Sequence, residues 1–371
     1  MQESDPNRTQ SAKIAILTLD FYPQIGGVQS YLFEIARRLG SAFDIAVVTP
    51  QPGELPPATP LRKVKPPAPH ALGFWQVLRQ KQPDFVIVGH AHPQLLLAAA
   101  LYGRKKYAAI TYGNDYLAAQ KRWHHALFNK LLNQANPLVT ISEANVRRLL
   151  ALNLNPTAVV HPGTDPQRFH PAPPRATGPV TLLTVARLVP RKGIDTVLKL
   201  MPSLLDRHPR LLYRIVGSGP DRERLEELVH SLTLSAHVEF VGRASSEELP
   251  KIYRNADIFV MLTREEQNQT SVEGFGIVYL EASASGLPIV ATHAGGVADA
   301  VHDNVTGLLV SPDNPDQALQ ALTRLIDDEA LRHRLGQAGR RLVEDELNWD
   351  KTAVKFQALL TAVLPGSSSP T

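Results

Sequence analysis

One alternation constrains this chain more than anything else in it: a short apolar run, a loop of glycine or polar residues, then a stretch with helical periodicity. It starts with Lys13-Ile14-Ala15-Ile16-Leu17-Thr18, passes through the loop that carries Gly26-Gly27, and enters a helix-period segment over residues 29–39. Short apolar runs recur at residues 44–50, 85–89, 108–112 and 137–142. The pattern restarts at residues 180–185, with a loop to Gly193 and a helix from Ile194, and continues at 211–216, 238–243 and 258–262. Strands buried on both faces read as unbroken Val/Ile/Leu-rich runs, and helices between them make crossover connections. The expected fold class is therefore α/β, with two similar parallel sheets facing a cleft.

Ligands of such sheets bind beyond the carboxyl ends of the strands, so the loops there are the first candidates for function. In the front half these are Gly26-Gly27, His90-Ala91-His92, Gly113-Asn114-Asp115 and Ser142-Glu143. Gly26 and Gly27 would let backbone N–H groups approach a phosphate or carboxylate at a helix N-terminus. His90 and His92 lie on a turn before Pro93, with no third ligand at metal spacing, which favours hydrogen bonding or structure over a metal. Residues 51–70, rich in proline with Arg62, Lys63 and Lys65, read as an irregular loop near an acceptor. Residues 119–134 read as one helix whose basic, aromatic side is either solvated or laid on a membrane surface.

Residues 172–179 have linker composition, and the domain boundary is expected there: 13–171 before it, 180–348 after it. Residues 1–12 and 365–371 read as disordered, and a helix over 349–364 follows the second domain. In the second domain Arg187 and Lys192 stand five apart in a loop at a strand's carboxyl end, where an Arg fork and a Lys point charge can converge on a diphosphate. Gly217-Ser218-Gly219-Pro220 repeats the strand-to-glycine loop. Ser271-Val272-Glu273-Gly274-Phe275-Gly276-Ile277-Val278-Tyr279-Leu280-Glu281 places two carboxylates eight positions apart around a glycine-rich helix entry. With a helix starting near Phe275, their span along its entry is roughly 12 Å, suited to a molecule with polar groups at both ends.

Composition removes several function classes. The chain has 371 residues and no cysteine, which excludes disulfides, thiolate metal sites and cysteine nucleophiles. The polar opening and the lack of a long apolar run predict neither a signal peptide nor a membrane span, hence a cytoplasmic protein. Residues 1–170 hold 18 Lys+Arg against 10 Asp+Glu and the remainder 21 against 25, so the front half is basic and the back half mildly acidic. A basic half favours anionic lipid headgroups or polyanionic glycans; with no zinc-finger spacing or basic heptads, nucleic acid is not expected.

The order of these motifs resembles family 4 of the retaining nucleotide-sugar glycosyltransferases. The resemblance rests on Gly26-Gly27-Val28, His161-Pro162-Gly163-Thr164-Asp165, Ala186-Arg187-Leu188 with Lys192-Gly193, Val216-Gly217-Ser218-Gly219-Pro220, and Glu273 with Glu281. It implies a GT-B fold of two Rossmann-like domains, the donor held mainly by the second, and a last helix crossing back to the first. It further implies that Arg187 and Lys192 neutralise the donor diphosphate, that Glu281 accepts from the ribose hydroxyls, and that Glu273 with Gly274, Phe275 and Gly276 contacts the transferred sugar. Gly27 would admit the donor, Gly217 would line its site, and the base would be read around Val241-Gly242-Arg243.

The implied reaction needs no metal or other cofactor, in keeping with the lack of any Asp-x-Asp pair. It retains the anomeric configuration by front-face attack, with a donor phosphate oxygen taking the acceptor's proton. One departure stands out: the family's usual His after the fourth strand aligns with Tyr112, in Tyr112-Gly113-Asn114-Asp115. Candidates for the acceptor side are accordingly Gly26, His90, His92, Tyr112, Asn114 and Asp115. The Glu273 segment resembles bacterial GDP-mannose-dependent phosphatidylinositol mannosyltransferases, which implies mannose as the sugar and a lipid-linked or cell-envelope glycan as the acceptor. It also implies work on the inner face of the membrane. Glucosyl or N-acetylglucosaminyl transfer, a nucleotide-sugar epimerase or hydrolase, and a non-catalytic sugar-nucleotide-binding subunit are the alternatives.

Overall fold

The computed structural model describes residues 11–24, 26–103, 107–120, 124–173, 178–265 and 272–364. The chain divides into two compact units, one of residues 1–161 with 349–371 and one of residues 162–348.

In the first unit β1 (Lys13–Leu17), β2 (Asp44–Val48), β3 (Arg62–Val64), β4 (Phe85–Val88), β5 (Tyr107–Thr111), β6 (Leu138–Thr140) and β7 (Ala158–Val159) form one sheet in the order β3-β2-β1-β4-β5-β6-β7. Every pairing is parallel. Crossovers are made by α1 (Gly27–Leu39), α2 (Ala71–Lys81), α3 (Pro93–Tyr102), α4 (Asn114–Gln120), α5 (His125–Asn133) and α6 (Glu143–Ala151). All four residues of β4 and all five of β5 are buried, because these central strands are covered on both faces.

The second unit repeats the plan with β8 (Thr181–Val185), β9 (Leu212–Val216), β10 (Val238–Gly242), β11 (Ile258–Met261), β12 (Ile289–Thr292) and β13 (Gly307–Val310), ordered β10-β9-β8-β11-β12-β13. Its helices are α7 (Ile194–Arg207), α8 (Arg222–Ser231), α9 (Leu249–Arg254), α10 (Ile277–Ala284), α11 (Val297–Ala300), α12 (Pro315–Asp327) and α13 (Glu329–Asp345). Helix α7 is amphipathic and buries Val197, Leu198, Met201 and Leu204 in the core of this unit. Each such side chain contributes about 1.5–3 kcal/mol relative to exposure. The last helix, α14 (Trp349–Val363), packs in the first unit, where Thr352 Oγ1 donates to His161 O at 3.0 Å and Arg38 pairs with Asp350 at 2.6 Å.

Four expectations need correction. The units divide at His161/Pro162, ahead of the linker anticipated at 172–179, of which 174–177 lie outside the described residues. The reason is packing: Thr164 N donates to Leu347 O, Arg168 donates to Ser246 O, and the Phe169 ring meets Tyr253 at 5.6 Å, all within the second unit. The segment 51–70 contains edge strand β3, parallel to β2, and the Lys63 ammonium is spent on three backbone carbonyls, those of Tyr22, Pro52 and Gly53. Residues 119–134 are not one helix but the end of α4 and all of α5; the aromatic and basic residues 121–123 lie outside the described residues.

Finally, α10 starts at Ile277, because Gly276 ahead of it has φ 91°, a left-handed conformation that a helix cannot include. The disorder anticipated for 365–371, and for all but the last two residues of 1–12, also falls outside the described residues. Among the described residues no helix is long and apolar enough to cross a membrane.

Candidate active site

In the second unit the strand order reverses between β8 and β11, so a crevice opens beyond the carboxyl ends of these two strands. The loop after β8 runs through Arg187 to a 3-10 turn over Pro190–Lys192 and then Gly193. Gly193 has φ 68°, and a Cβ there would lie 1.9 Å from Leu262 O at the end of β11, so only glycine lets the two loops close up. Arg264 N donates to Arg191 O at 2.8 Å, and its guanidinium holds buried Asp195 through both carboxylate oxygens at 3.1 and 3.0 Å. The loop is thereby fastened on two sides.

Into this frame comes Glu273. Its carboxylate accepts from Lys192 Nζ at 2.5 Å and from Arg191 at 3.0 Å. Lys192 and Glu273 are only 8% and 9% exposed, so the pair is screened little by solvent. Burial pushes the Glu273 pKa up, but the positive charges of Lys192 and Arg191 outweigh it and hold the carboxyl below its usual range. The backbone of Glu273 is fixed as well: Gly296 N donates to its carbonyl, and a Cβ on Gly295, at φ 55°, would lie 2.2 Å from that oxygen.

Glu281 is separate from this cluster. On α10 it accepts from Tyr253 Oη of α9 at 2.8 Å, and burial raises its pKa. Arg187 is exposed and makes no hydrogen bond or ion pair among the described residues. Arg191, which spacing did not single out, joins Lys192 on the Glu273 carboxylate. Pro190 ahead of Arg191-Lys192-Gly193, at the start of a 3-10 turn, was the available signal that the loop tightens here.

The glycines sit where close backbone approach requires them. Gly217 N donates to Gly242 O at 2.7 Å, and a Cβ on Gly217, at φ 137°, would lie 1.8 Å from Ala186 O. The loops bearing Ala186, Gly217 and Gly242 therefore lie side by side at the ends of β8, β9 and β10, and Arg243 follows directly. Gly274 and Phe275 lead into α10, with Phe275 buried.

The first unit has its own reversal between β1 and β4. His90, 8% exposed, reaches from the end of β4 to Thr18 Oγ1 at 3.3 Å, and burial together with nearby His92 lowers its pKa to about 4. His92 caps α3 by accepting from Gln94 N. Asp115 gathers the backbone N–H groups of Ala91, Tyr112 and Gly113, each at 3.0 Å, and so ties the β4 and β5 loops together. Asn114 opens α4 on the surface.

Tyr112 stands edge-on to Tyr31 at 5.5 Å, its Oη enclosed without a partner. Gly26 is extended at φ 179°, and a Cβ on Gly27 would meet nothing within 4 Å, leaving room at the start of α1.

Comparison with known proteins follows these units. Residues 25–168 match the family described as Glycosyltransferase Family 4, and residues 165–342 match Glycosyl transferases group 1. A Mycobacterium tuberculosis protein named GDP-mannose-dependent alpha-(1-6)-phosphatidylinositol monomannoside mannosyltransferase is 32% identical over 94% of this chain and 98% of its own. A Corynebacterium glutamicum GDP-mannose-dependent monoacylated alpha-(1-6)-phosphatidylinositol monomannoside mannosyltransferase is 33% identical over 92% of this chain and 95% of its own. Among solved structures, sucrose-phosphate synthase from Thermosynechococcus elongatus superposes with a TM-score of 0.79 at 21% identity, over 94% of this chain and 98% of its own. A glycosyltransferase from Rickettsia africae gives 0.77 at 18%, over 96% and 100%. These two likenesses show the fold, GT-B with two Rossmann-like parallel-sheet domains.

Proposed function

The chain belongs to glycosyltransferase family 4, and from that membership we propose that it transfers mannose from GDP-mannose to a lipid-linked or cell-envelope glycan acceptor, with retention and without a metal. The observation that carries this reading is the buried cluster of Lys192, Arg191 and Glu273 beyond the ends of β8 and β11. GDP-mannose and a mannosylated phosphatidylinositol are the substrates named for the relatives, which supports the choice of sugar and acceptor class.

In the proposed mechanism Lys192, with exposed Arg187, receives the donor diphosphate. Positive charge held there before the reaction stabilises the negative charge that develops as the sugar–phosphate bond breaks. Ionised Glu273 accepts from a hydroxyl of the transferred sugar and orients the ring, while Glu281 accepts from the ribose. Gly274, Gly276 and the start of α10 bring backbone N–H groups toward the phosphates. The acceptor hydroxyl attacks the anomeric carbon on the face the leaving group vacates, and its proton goes to a donor phosphate oxygen. The basic first half supports a peripheral position on an anionic membrane surface.

A thermal-shift panel of GDP-mannose, UDP-glucose and UDP-N-acetylglucosamine tests the donor, because a ligand that binds only the native state raises its melting point. The expected result is the largest shift with GDP-mannose, followed by acceptor-dependent release of GDP and an α-linked product by NMR. A β-linked product sinks the retaining mechanism. Donor loss without acceptor points instead to a hydrolase or epimerase.

A further inference from the structure

We propose that His90 is the acceptor-side hydrogen-bonding residue of this chain: its Nε2 receives a hydrogen bond from a hydroxyl of the acceptor polyol or sugar. This deepens the proposed transfer and rests on it.

The proton inventory around Thr18 decides which ring nitrogen is available. Thr18 Oγ1 donates to Asp20 O at 2.7 Å, and a carbonyl can only accept, so the single hydroxyl hydrogen is committed. The contact between Thr18 Oγ1 and His90 Nδ1 must then run the other way, with Nδ1–H as donor. A neutral imidazole protonated on Nδ1 carries its lone pair on Nε2. With its pKa lowered to about 4, the ring is neutral at physiological pH. Nε2 has no partner among the described residues and is not one of the chain's fully enclosed unpartnered atoms. A lone pair in that position accepts an O–H.

The placement fits the task. His90 stands at the β1/β4 reversal, where ligands of a parallel sheet bind. Its surroundings are held in place: Asp115 collects N–H groups on both sides of the β4 and β5 loops, and Lys63 clamps the loop after β1 through Tyr22 O. The two neighbouring candidates are otherwise engaged. His92 Nδ1 caps α3, and the Tyr112 ring lies against Tyr31 with its hydroxyl sealed from solvent.

Two amide variants separate this role from a merely structural one. The amide nitrogen of His90→Asn superposes on Nδ1 and keeps the tie to Thr18 while losing the Nε2 acceptor. The longer His90→Gln reaches the Nε2 position and gives up the tie. With GDP-mannose as donor and phosphatidylinositol monomannoside as probe acceptor, the expected result for His90→Asn is about a tenfold loss in kcat/KM for the acceptor, with the donor KM unchanged. His90→Gln should recover most of it, even with a lower melting point. If His90→Asn transfers normally and His90→Gln is the poorer enzyme, Thr18–His90 is only a structural tie and the proposal falls. Wild-type transfer in the same assay reads the parent proposal: its presence with an unaffected His90→Asn removes His90 alone, and its absence removes both.

Discussion

Lys192 Nζ lies 2.5 Å from Glu273 Oε2 across 81 residues of sequence, and the two side chains are buried together. Lys192→Ala leaves a buried carboxylate with only Arg191 to offset it. Removing one partner of a buried pair costs about 3–5 kcal/mol, so a large drop in unfolding free energy is expected. The GDP-mannose-dependent thermal shift should also disappear. A double-mutant cycle of Lys192→Met with Glu273→Gln should return a coupling of roughly 0.5–3 kcal/mol. A Lys192→Ala protein that keeps the full ligand shift removes Lys192 from the donor site.

The same pair sets an acid limit. Burial alone would raise the Glu273 pKa, but the charges of Lys192 and Arg191 prevail and depress it. For a carboxyl with a depressed folded pKa, the stabilisation is present above the unfolded value of about 4.3 and is lost as pH falls through the folded value. Urea unfolding at a series of pH values should therefore show the wild-type advantage over Glu273→Gln shrinking below about pH 4. An advantage independent of pH would contradict this.

Glu281 has the opposite sign. Burial raises its pKa, so its ionised form costs stability as pH rises through the folded value. Glu281→Gln keeps an acceptor for Tyr253 Oη and sheds that cost. Expected at pH 7 is a melting point higher by about 2 °C together with weaker donor binding, a trade of stability against function. A lower melting point overturns the assignment of a burial cost to ionised Glu281.

Gly193→Ala should be poorly tolerated. Its φ of 68° disfavours any L side chain, and a Cβ at 1.9 Å from Leu262 O has no room. The expected destabilisation is at least about 2 kcal/mol by urea unfolding, with loss of donor binding because Lys192 adjoins it. Gly27→Ala, whose Cβ would meet nothing within 4 Å, is the matched control: stability should hold while any loss appears in kinetics.

Metal independence is tested by chelation. Transfer measured after EDTA treatment and gel filtration should match the untreated rate, since the charge on the leaving diphosphate is assigned to Lys192 and Arg187. Activity lost to EDTA and restored by magnesium would assign that charge to a cation instead.

Much of this protein was legible in the order of its residues. Short apolar runs at 13–18, 85–89, 180–185 and 258–262 determined parallel strands, because only strands covered by helices on both faces bury such runs completely. Glycines at 193, 217 and 276 marked the loops at the strand ends, since chain direction alone places those loops on one edge of each sheet. Spacing and family likeness singled out Glu273, Glu281 and Lys192, of which the fold buries Glu273 and Lys192 together. What spacing could not decide was which cation would meet Glu273, whether Tyr112 would be open, and where Lys63 would spend its charge.

Those answers came from tertiary packing. Arg191 met Glu273 alongside Lys192, the Tyr112 ring came to lie edge-on to Tyr31 with its hydroxyl enclosed, and Lys63 met the carbonyls of Tyr22, Pro52 and Gly53. The physical reason is range. Strand and helix patterns arise from residues within a few positions of one another, whereas the partner of a buried charge is chosen by whatever distant chain the closed fold brings within about 3 Å.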